Sequence, residues 1–193
     1  SSGNYTSQNT PYLITLDYSI LDNQNLNLKL HLEVDGEFSV IYIPIEVYGG
    51  DIEILSYNTD DHNIAIGELN DLNFSIINNG SITLNNLSVE LLPFENLISV
   101  PSSIVIISQI QSNQNTDIGP FQINVNDQAI AGTIVPMELQ ISSADGFYQT
   151  KTFNIQLGLI SQSDPLGPDT YGYYIYDSGD ILYDISPSYD WIE

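Results

Sequence analysis

Carboxylate side chains gather in two turn-rich stretches, and they are the residues whose type and spacing suit a chemical role. Calcium binds six to eight hard oxygen ligands, and closely spaced carboxylates in turns provide them. Neither stretch has the spacing of an EF-hand loop, and such residues also cap turns of their own backbone. Calcium is therefore the one cofactor that the sequence predicts. Its candidate ligands are Asp169, Asp177, Asp180 and Asp184 near the C-terminus, and Asp60, Asp61, Asn63 and Glu68 in an earlier loop.

Histidine chemistry offers little for catalysis. His31 and His62 are the only histidines, so a Ser-His-Asp site needs one of them. His31 lies on the polar face of an alternating segment, His62 lies in an acidic turn, and no Gly-x-Ser-x-Gly elbow is present. The two carboxylates of a glycosidase need a cleft that raises the pKa of one of them, and no segment indicates such a cleft. We therefore predict that the protein is not an enzyme.

The charge balance excludes several partners. The 193 residues include 25 acidic side chains and only two basic ones, Lys29 and Lys151, with no arginine and no cysteine. Nucleic acid and anionic membrane surfaces repel such a chain, and phosphate-handling enzymes need cations that it lacks. The absence of cysteine excludes disulfides and thiolate metal sites. No apolar run approaches the length of a membrane span, so we expect no membrane insertion.

The elements that must position these residues are β-strands. Leucine and valine alternate with polar residues from Leu26 to Val34, which gives one apolar face. Asp35-Gly36, Asp145-Gly146 and Asn79-Gly80 supply residues suited to positive φ in tight hairpin turns. Many short strands at regular spacing indicate an all-β, immunoglobulin-like antiparallel β-sandwich. The other predicted strands cover residues 12–16, 39–47, 72–77, 87–91, 104–107, 121–125, 137–141 and 152–157.

An internal repeat divides the chain. Residues 11–16 align with 120–125, and residues 30–49 align with 139–158, at an offset of about 109 residues. One immunoglobulin-like sandwich has about this length. The sequence thus predicts tandem modules: residues 1–49 as the second half of one module, 50–158 as a complete sandwich, and 159–193 as an ordered Tyr/Asp-rich tail.

Half a sandwich leaves strand edges and an apolar face uncovered. Three explanations stay open for residues 1–49. The chain is a fragment of a longer protein, or these residues pack on the second module, or a neighbouring subunit supplies the missing strands. The predicted partners are accordingly another copy of the chain or neighbouring domains of a longer one.

Several motifs of residues 50–193 resemble those of a known group. They are the Asp/Asn-rich turn 60–63, Gly67-Glu68, a strand that ends in Asn78-Asn79-Gly80, and Gly-Pro-Asp-x-Tyr-Gly-Tyr-Tyr at 167–174. Together they resemble CARDB-type immunoglobulin-like modules of large secreted proteins from Bacteroidetes-related bacteria, including gingipain-like peptidases and surface proteins. The usual Asn-Pro-Gly-Glu turn reads Ala65-Ile66-Gly67-Glu68 here. The resemblance implies an extracellular or cell-surface location and transfers no active site.

These observations predict a non-catalytic structural or adhesion module. It would act as a spacer or as a subunit of a surface assembly, including a filament built by strand complementation. The alternative is a glycan- or protein-binding accessory domain of a secreted peptidase or other hydrolase. That alternative depends on the tail tyrosines, whose faces suit sugar rings, although such tyrosines more often serve in packing.

Overall fold

The computed structural model describes residues 13–16, 22–59, 63–184 and 186–187. These residues contain strands, turns and bends and no helix. The ten strands are β1 (Asn25–Val34), β2 (Glu37–Glu46), β3 (Ile52–Thr59), β4 (Leu69–Asn78), β5 (Leu84–Pro93), β6 (Ile98–Ser102), β7 (Ile104–Ile110), β8 (Asn115–Val125), β9 (Ile134–Ser143) and β10 (Tyr148–Gln156).

Eight of these strands form a sandwich of two antiparallel sheets. One sheet has the order β3-β4-β8-β6 and the other has the order β10-β9-β5-β7. These orders correspond to the A-B-E-D and G-F-C-C′ sheets of immunoglobulin domains. The chain differs in one respect, since the strand in the D position, β6, precedes the strand in the C′ position, β7. The predicted immunoglobulin-like sandwich is confirmed.

The core lies between the two sheets because strand residues alternate between inward and outward positions. In β4, Leu72, Phe74 and Ile76 are all buried, with half-buried residues between them. The Phe74 ring meets the rings of Phe121 and Phe153 edge to face, at centroid distances of 5.6 and 5.1 Å. Such pairs stabilise a core beyond the area they bury, by about 0.5–1.5 kcal/mol each.

Strands β1 and β2 form a separate two-stranded hairpin. Val34 pairs with Glu37 across Asp35 and Gly36, whose φ angles are 54° and 83°. Both central residues thus have the positive φ of a type I′ turn, as predicted for this pair.

The prediction for Asn79-Gly80 is wrong, because neither residue has positive φ and no hairpin forms there. The chain passes at this point from β4 in one sheet to β5 in the other. Glycine is needed at position 80 for a different reason. A Cβ atom there would collide with the Gly49 carbonyl and the backbone of Gly50 and Asp51.

The strand predicted over residues 12–16 is not found where the structure describes the chain. Residues 13–16 are irregular and exposed, and Tyr12 lies outside the described residues. Their counterparts in the repeat lie in β8, which is held between β4 and β6. No strand of the described chain pairs with residues 13–16, so their backbone lacks the ladder that β8 receives.

Candidate interaction site

The chain contains two hairpins of corresponding register. An offset of 109 residues takes the bounds of β1 onto those of β9. In the second strand of each hairpin the offset is 110, since Leu26 pairs with Ile45 in the first hairpin and Val135 pairs with Ile155 in the second. The two hairpins therefore present equivalent faces, and their surroundings can be compared position by position.

The equivalent faces differ completely in burial. The β9 face is fully covered, with 0% exposure at Val135, Met137, Leu139 and Ile141. Strand β5 pairs with β9, and the β3-β4-β8-β6 sheet supplies the opposing layer of the core. The corresponding face of the first hairpin has no such layer among the described residues. Its members are the half-buried Leu26, Leu28, Leu30, Leu32 and Ile45, and the exposed Ile41 and Ile43.

The opposite face of the first hairpin is mixed in polarity. Lys29, His31 and Glu33 of β1 alternate with the leucines and are exposed. Their partners across the ladder are apolar or aromatic and also exposed: Tyr42, Val40 and Phe38. His62 lies outside the described residues. We therefore call the leucine- and isoleucine-rich side of β1–β2 the apolar hairpin face.

A carboxylate ties the base of this hairpin to the sandwich. Asp22 accepts hydrogen bonds from the Gly49 backbone at 2.6 Å and from the Ser81 backbone and hydroxyl at 3.1 and 2.8 Å. Partial burial raises the pKa of Asp22, but hydrogen bonds from Gly49, Ser81 and Asn23 outweigh it. The pKa thus lies below the ordinary value of 3.8 and Asp22 is ionised at neutral pH.

A buried amide organises the other side of the same junction. Asn78 is fully buried, and its Oδ1 accepts hydrogen bonds from the backbones of Asp51 and Gly80 at 3.2 and 3.0 Å. Its Nδ2 donates to the Ile82 carbonyl at 2.8 Å. Asp22 and Asn78 link three backbone segments, at residues 22–23, 49–51 and 78–82, and we call this region the junction. Neither residue was predicted from the sequence as a site residue.

The predicted tail ligands are used mainly as backbone acceptors. Asp169 Oδ1 accepts from the amides of Tyr171 and Tyr173, and Asp177 Oδ1 accepts from the amide of Gly179. Asp180 is buried and accepts from the Asp177 amide at 2.6 Å. The fourth candidate, Asp184, is exposed.

The structure does not bring these four carboxylates together. Within the described ranges, no group of three or more acidic or histidine side chains is placed to hold a metal ion. Calcium binding by the tail therefore stays a prediction from sequence.

In the described part of the earlier loop, a buried asparagine binds the backbone. Asn70 is buried, and its Oδ1 accepts from the Ala65 amide at 2.7 Å while its Nδ2 donates to the carbonyls of Ala65 and Glu68. The Asn63 carbonyl accepts from the Thr59 hydroxyl. Of the remaining candidate ligands, Asp60 and Asp61 lie outside the described residues, and the Glu68 side chain is exposed.

The tail tyrosines fall into two groups. Three of them make contacts. The Tyr174 hydroxyl lies 2.7 Å from Thr133 Oγ1, Tyr183 donates to Asp164 at 2.7 Å, and the rings of Tyr176 and Tyr183 meet at 5.9 Å. Burial and the hydrogen bond to Asp164 raise the pKa of Tyr183 to about 12.

The other two, Tyr171 and Tyr173, are 84% and 71% exposed. They flank Gly172 in the turn that Asp169 closes, so two aromatic side chains project from one short turn. The remaining tyrosine of the tail, Tyr189, lies outside the described residues.

The likeness of this chain to known proteins is structural and not of sequence. No family model and no curated protein sequence matches the chain. Among solved structures, the chain is similar to native alpha-2-macroglobulin from Escherichia coli, solved from domain MG7 to the C-terminus. The match has 14% sequence identity and a TM-score of 0.42, and it covers 57% of this chain but only 17% of that one. The fold assignment depends on the sheet topology given above.

The described part of the chain has no helix long and apolar enough to cross a membrane.

Proposed function

We propose that the protein is a non-catalytic structural module of an extracellular or cell-surface protein, acting as a spacer or as a subunit of a surface assembly. The observation that carries this proposal is the junction, which joins a complete sandwich to the separate hairpin β1–β2. Asp22 bonds both to the Gly49 segment and to the Ser81 segment. A spacer needs such a fixed join between successive units, since a flexible linker would not hold their separation.

The polar chemistry of the interior supports a structural role. Four polar or charged side chains are buried among the described residues: Thr59, Asn70, Asn78 and Asp180. Each of the four bonds to backbone groups of its own vicinity. No buried polar side chain of the described chain lacks a partner, whereas a catalytic site commonly keeps one available for substrate.

Composition supports an extracellular setting. Trypsin-like proteases cleave after Lys or Arg, and the chain offers only Lys29 and Lys151. Both residues lie in strands, where the extended backbone is paired. The motifs shared with CARDB-type modules of secreted bacterial proteins point the same way, and we propose membership of that group.

Single-molecule pulling tests the spacer role. The chain is placed between well-characterised domains and stretched from its ends. A structural module resists until the sandwich opens in one step, which releases about 35 nm of chain for its roughly one hundred residues. Gradual extension without a force peak overturns the proposal. Leu139→Ala should lower the peak and Leu30→Ala should leave it unchanged, because only Leu139 lies in the core.

The exposed tyrosine turn favours a second candidate function, which is glycan binding by an accessory domain of a secreted hydrolase. Tyr171 and Tyr173 present two aromatic faces at one turn, and aromatic faces with a polar rim suit sugar rings. A glycan array tests this candidate. Binding that is lost in the double variant Tyr171→Ala/Tyr173→Ala, but kept in Tyr148→Ala on strand β10, supports it. A chain that binds no glycan removes it.

A further inference from the structure

We infer that β1–β2 is the F–G hairpin of a second immunoglobulin-like module, whose apolar face is covered by an A–B–C half-module linked N-terminally in the same polypeptide. This inference deepens the proposed function by naming the partner of the apolar hairpin face. The observation that supports it is the chain's own second hairpin, which shows what covers the equivalent face there.

The second module defines the chemistry of the missing partner. Strand β9 is paired by β5 along residues 137–143, and its apolar side meets the sheet that contains β3 and β4. At the repeat offset of 109 residues, the equivalent positions in β1 are residues 28–34, and we expect the same kind of pairing there. The partner therefore needs one C-like strand that pairs antiparallel with residues 28–34, and two strands, equivalent to A and B, that lay an apolar face over the leucines.

The apolar hairpin face has the character that such a partner requires. Its central positions are all apolar: Leu26, Leu28, Leu30, Leu32, Ile41, Ile43 and Ile45. Lys29 and Glu33 lie on the other face, and Glu37 lies at the turn end of the apolar face, opposite Val34. In the described chain, β1 pairs only with β2, so its outer edge is available for a further strand.

A second copy of the chain does not meet the requirement. Its β3 and β4 are already in one sheet with its own β8, and its β5 is paired with its own β9. It therefore has no free A–B–C half to offer. Two copies would also bring together two chains that each carry 23 net negative charges, which opposes association. Covalent linkage instead provides an effective concentration of about millimolar.

The experiment adds a half-module before the first hairpin, with the strands in the same chain order as in the second module. A duplicate of residues 50–114 is inserted between residues 5 and 6, which reproduces the 109-residue spacing of the repeat. Hydrogen exchange is then measured on the extended and the unmodified chains. We expect amides of residues 28–34 to exchange at least about 100-fold more slowly in the extended chain, as amides of a buried strand do.

A matched variant separates specific closure from non-specific collapse. In the extended chain, Leu28→Asp should remove most of the added protection, because Leu28 corresponds to the fully buried Met137. In the unmodified chain the same change should leave exchange in the sandwich unaltered. Hairpin amides that exchange equally fast with and without the inserted half overturn the inference.

The unmodified chain tests whether a second copy of the chain covers the apolar hairpin face. Sedimentation that shows a dimer at rising concentration, together with protection of the hairpin, would assign the face to hairpin-to-hairpin packing and overturn the covalent assignment. Neither result depends on how the sandwich responds to force. Failure of this inference is therefore distinguishable from failure of the proposed structural role.

Discussion

The two hairpins of this chain differ in burial far more than in sequence pattern. Both alternate apolar and polar residues over ten-residue first strands with corresponding register. Leu139 is fully buried, while the equivalent Leu30 is only half-buried. Alternation thus specifies which face of a strand is ready for burial, but a second layer decides whether burial occurs.

The largest expected effect comes from truncating the two equivalent leucines, Leu139 and Leu30. Leu139→Ala removes side-chain atoms from a core without solvent access, so it should lower the free energy of unfolding by about 2–5 kcal/mol. Leu30→Ala should change it by less than about 0.5 kcal/mol, as expected for partly exposed positions. Urea denaturation of both variants measures the two values. Equal losses would show that the first hairpin is buried in solution.

The only two lysines provide a second comparison, since each hairpin contains one. Lys29 is exposed on β1, which is held only by β2, whereas Lys151 lies on β10, 3.6 Å from the Asp51 carboxylate. An isolated two-stranded hairpin is marginal in water and opens easily. Trypsin should therefore cleave after Lys29 at least about 100-fold faster than after Lys151.

Mass spectrometry over a time course reports both cleavages in one reaction. The heat-denatured chain is the control, because there both lysines should be cut at similar rates. Similar rates in the native chain would contradict the difference in protection that we assign to the two hairpins.

The sequence predicted the sandwich well because its signals are local. The inward positions of β4 and β9 alternate cleanly, and Asp35-Gly36 forms the turn expected of it. Strand β3 was not predicted, since a bulge between Ile54 and Ser56 interrupts its alternation. Strand β6 was missed because it has five residues and includes Pro101.

The site was harder to predict because its contacts are distant in sequence. Asp22 meets Ser81 across 59 positions, and no local pattern identifies that pair. Asn78 carries a weak signal, as an amide that ends a strand just before Asn79-Gly80. Calcium binding in the acidic turns stays a prediction, because sequence alone does not distinguish a carboxylate that binds an ion from one that accepts backbone amides, as Asp169 does.

A smaller effect concerns the base of the second hairpin, where the tail docks. The Tyr174 hydroxyl meets Thr133 just before β9, and the nearby Tyr183 donates to Asp164. Because the pKa of Tyr183 is raised to about 12, its docking stability is complete below its ordinary pKa of 10.0 and is lost as pH rises through about 12. Ultraviolet titration should show one tyrosine ionising near pH 12.

Tyr183→Phe is the matched variant for this contact. It should remove that late-titrating tyrosine and destabilise the docked tail by about 1 kcal/mol, the usual value of one hydrogen bond. Exchange of the Leu166 and Ile175 amides, which bond to each other's carbonyls, measures the docking. Unchanged titration in the variant would place the high pKa on another tyrosine.

A comparably small and local effect concerns Asp22 at the base of the first hairpin. Its folded pKa is lowered below 3.8, so its hydrogen bonds contribute stability above that value and are lost as pH falls through the lowered pKa. Asp22→Ala should accelerate exchange of the Gly49 and Ser81 amides about tenfold at neutral pH, equivalent to about 1.4 kcal/mol locally. Asp22→Asn retains acceptor oxygen without charge and should have the smaller effect.

Unfolding of the sandwich should be nearly unaffected in both Asp22 variants, because the carboxylate lies outside the core. If the junction fixes the hairpin relative to the sandwich, Asp22→Ala changes the residual dipolar couplings of β1 and leaves those of β9 unchanged. Equal change in both strands would mean that Asp22 supports the sandwich itself. The first hairpin would then differ from the second only in its missing cover, and its attachment would depend on the backbone bonds between Asn23 and Val47.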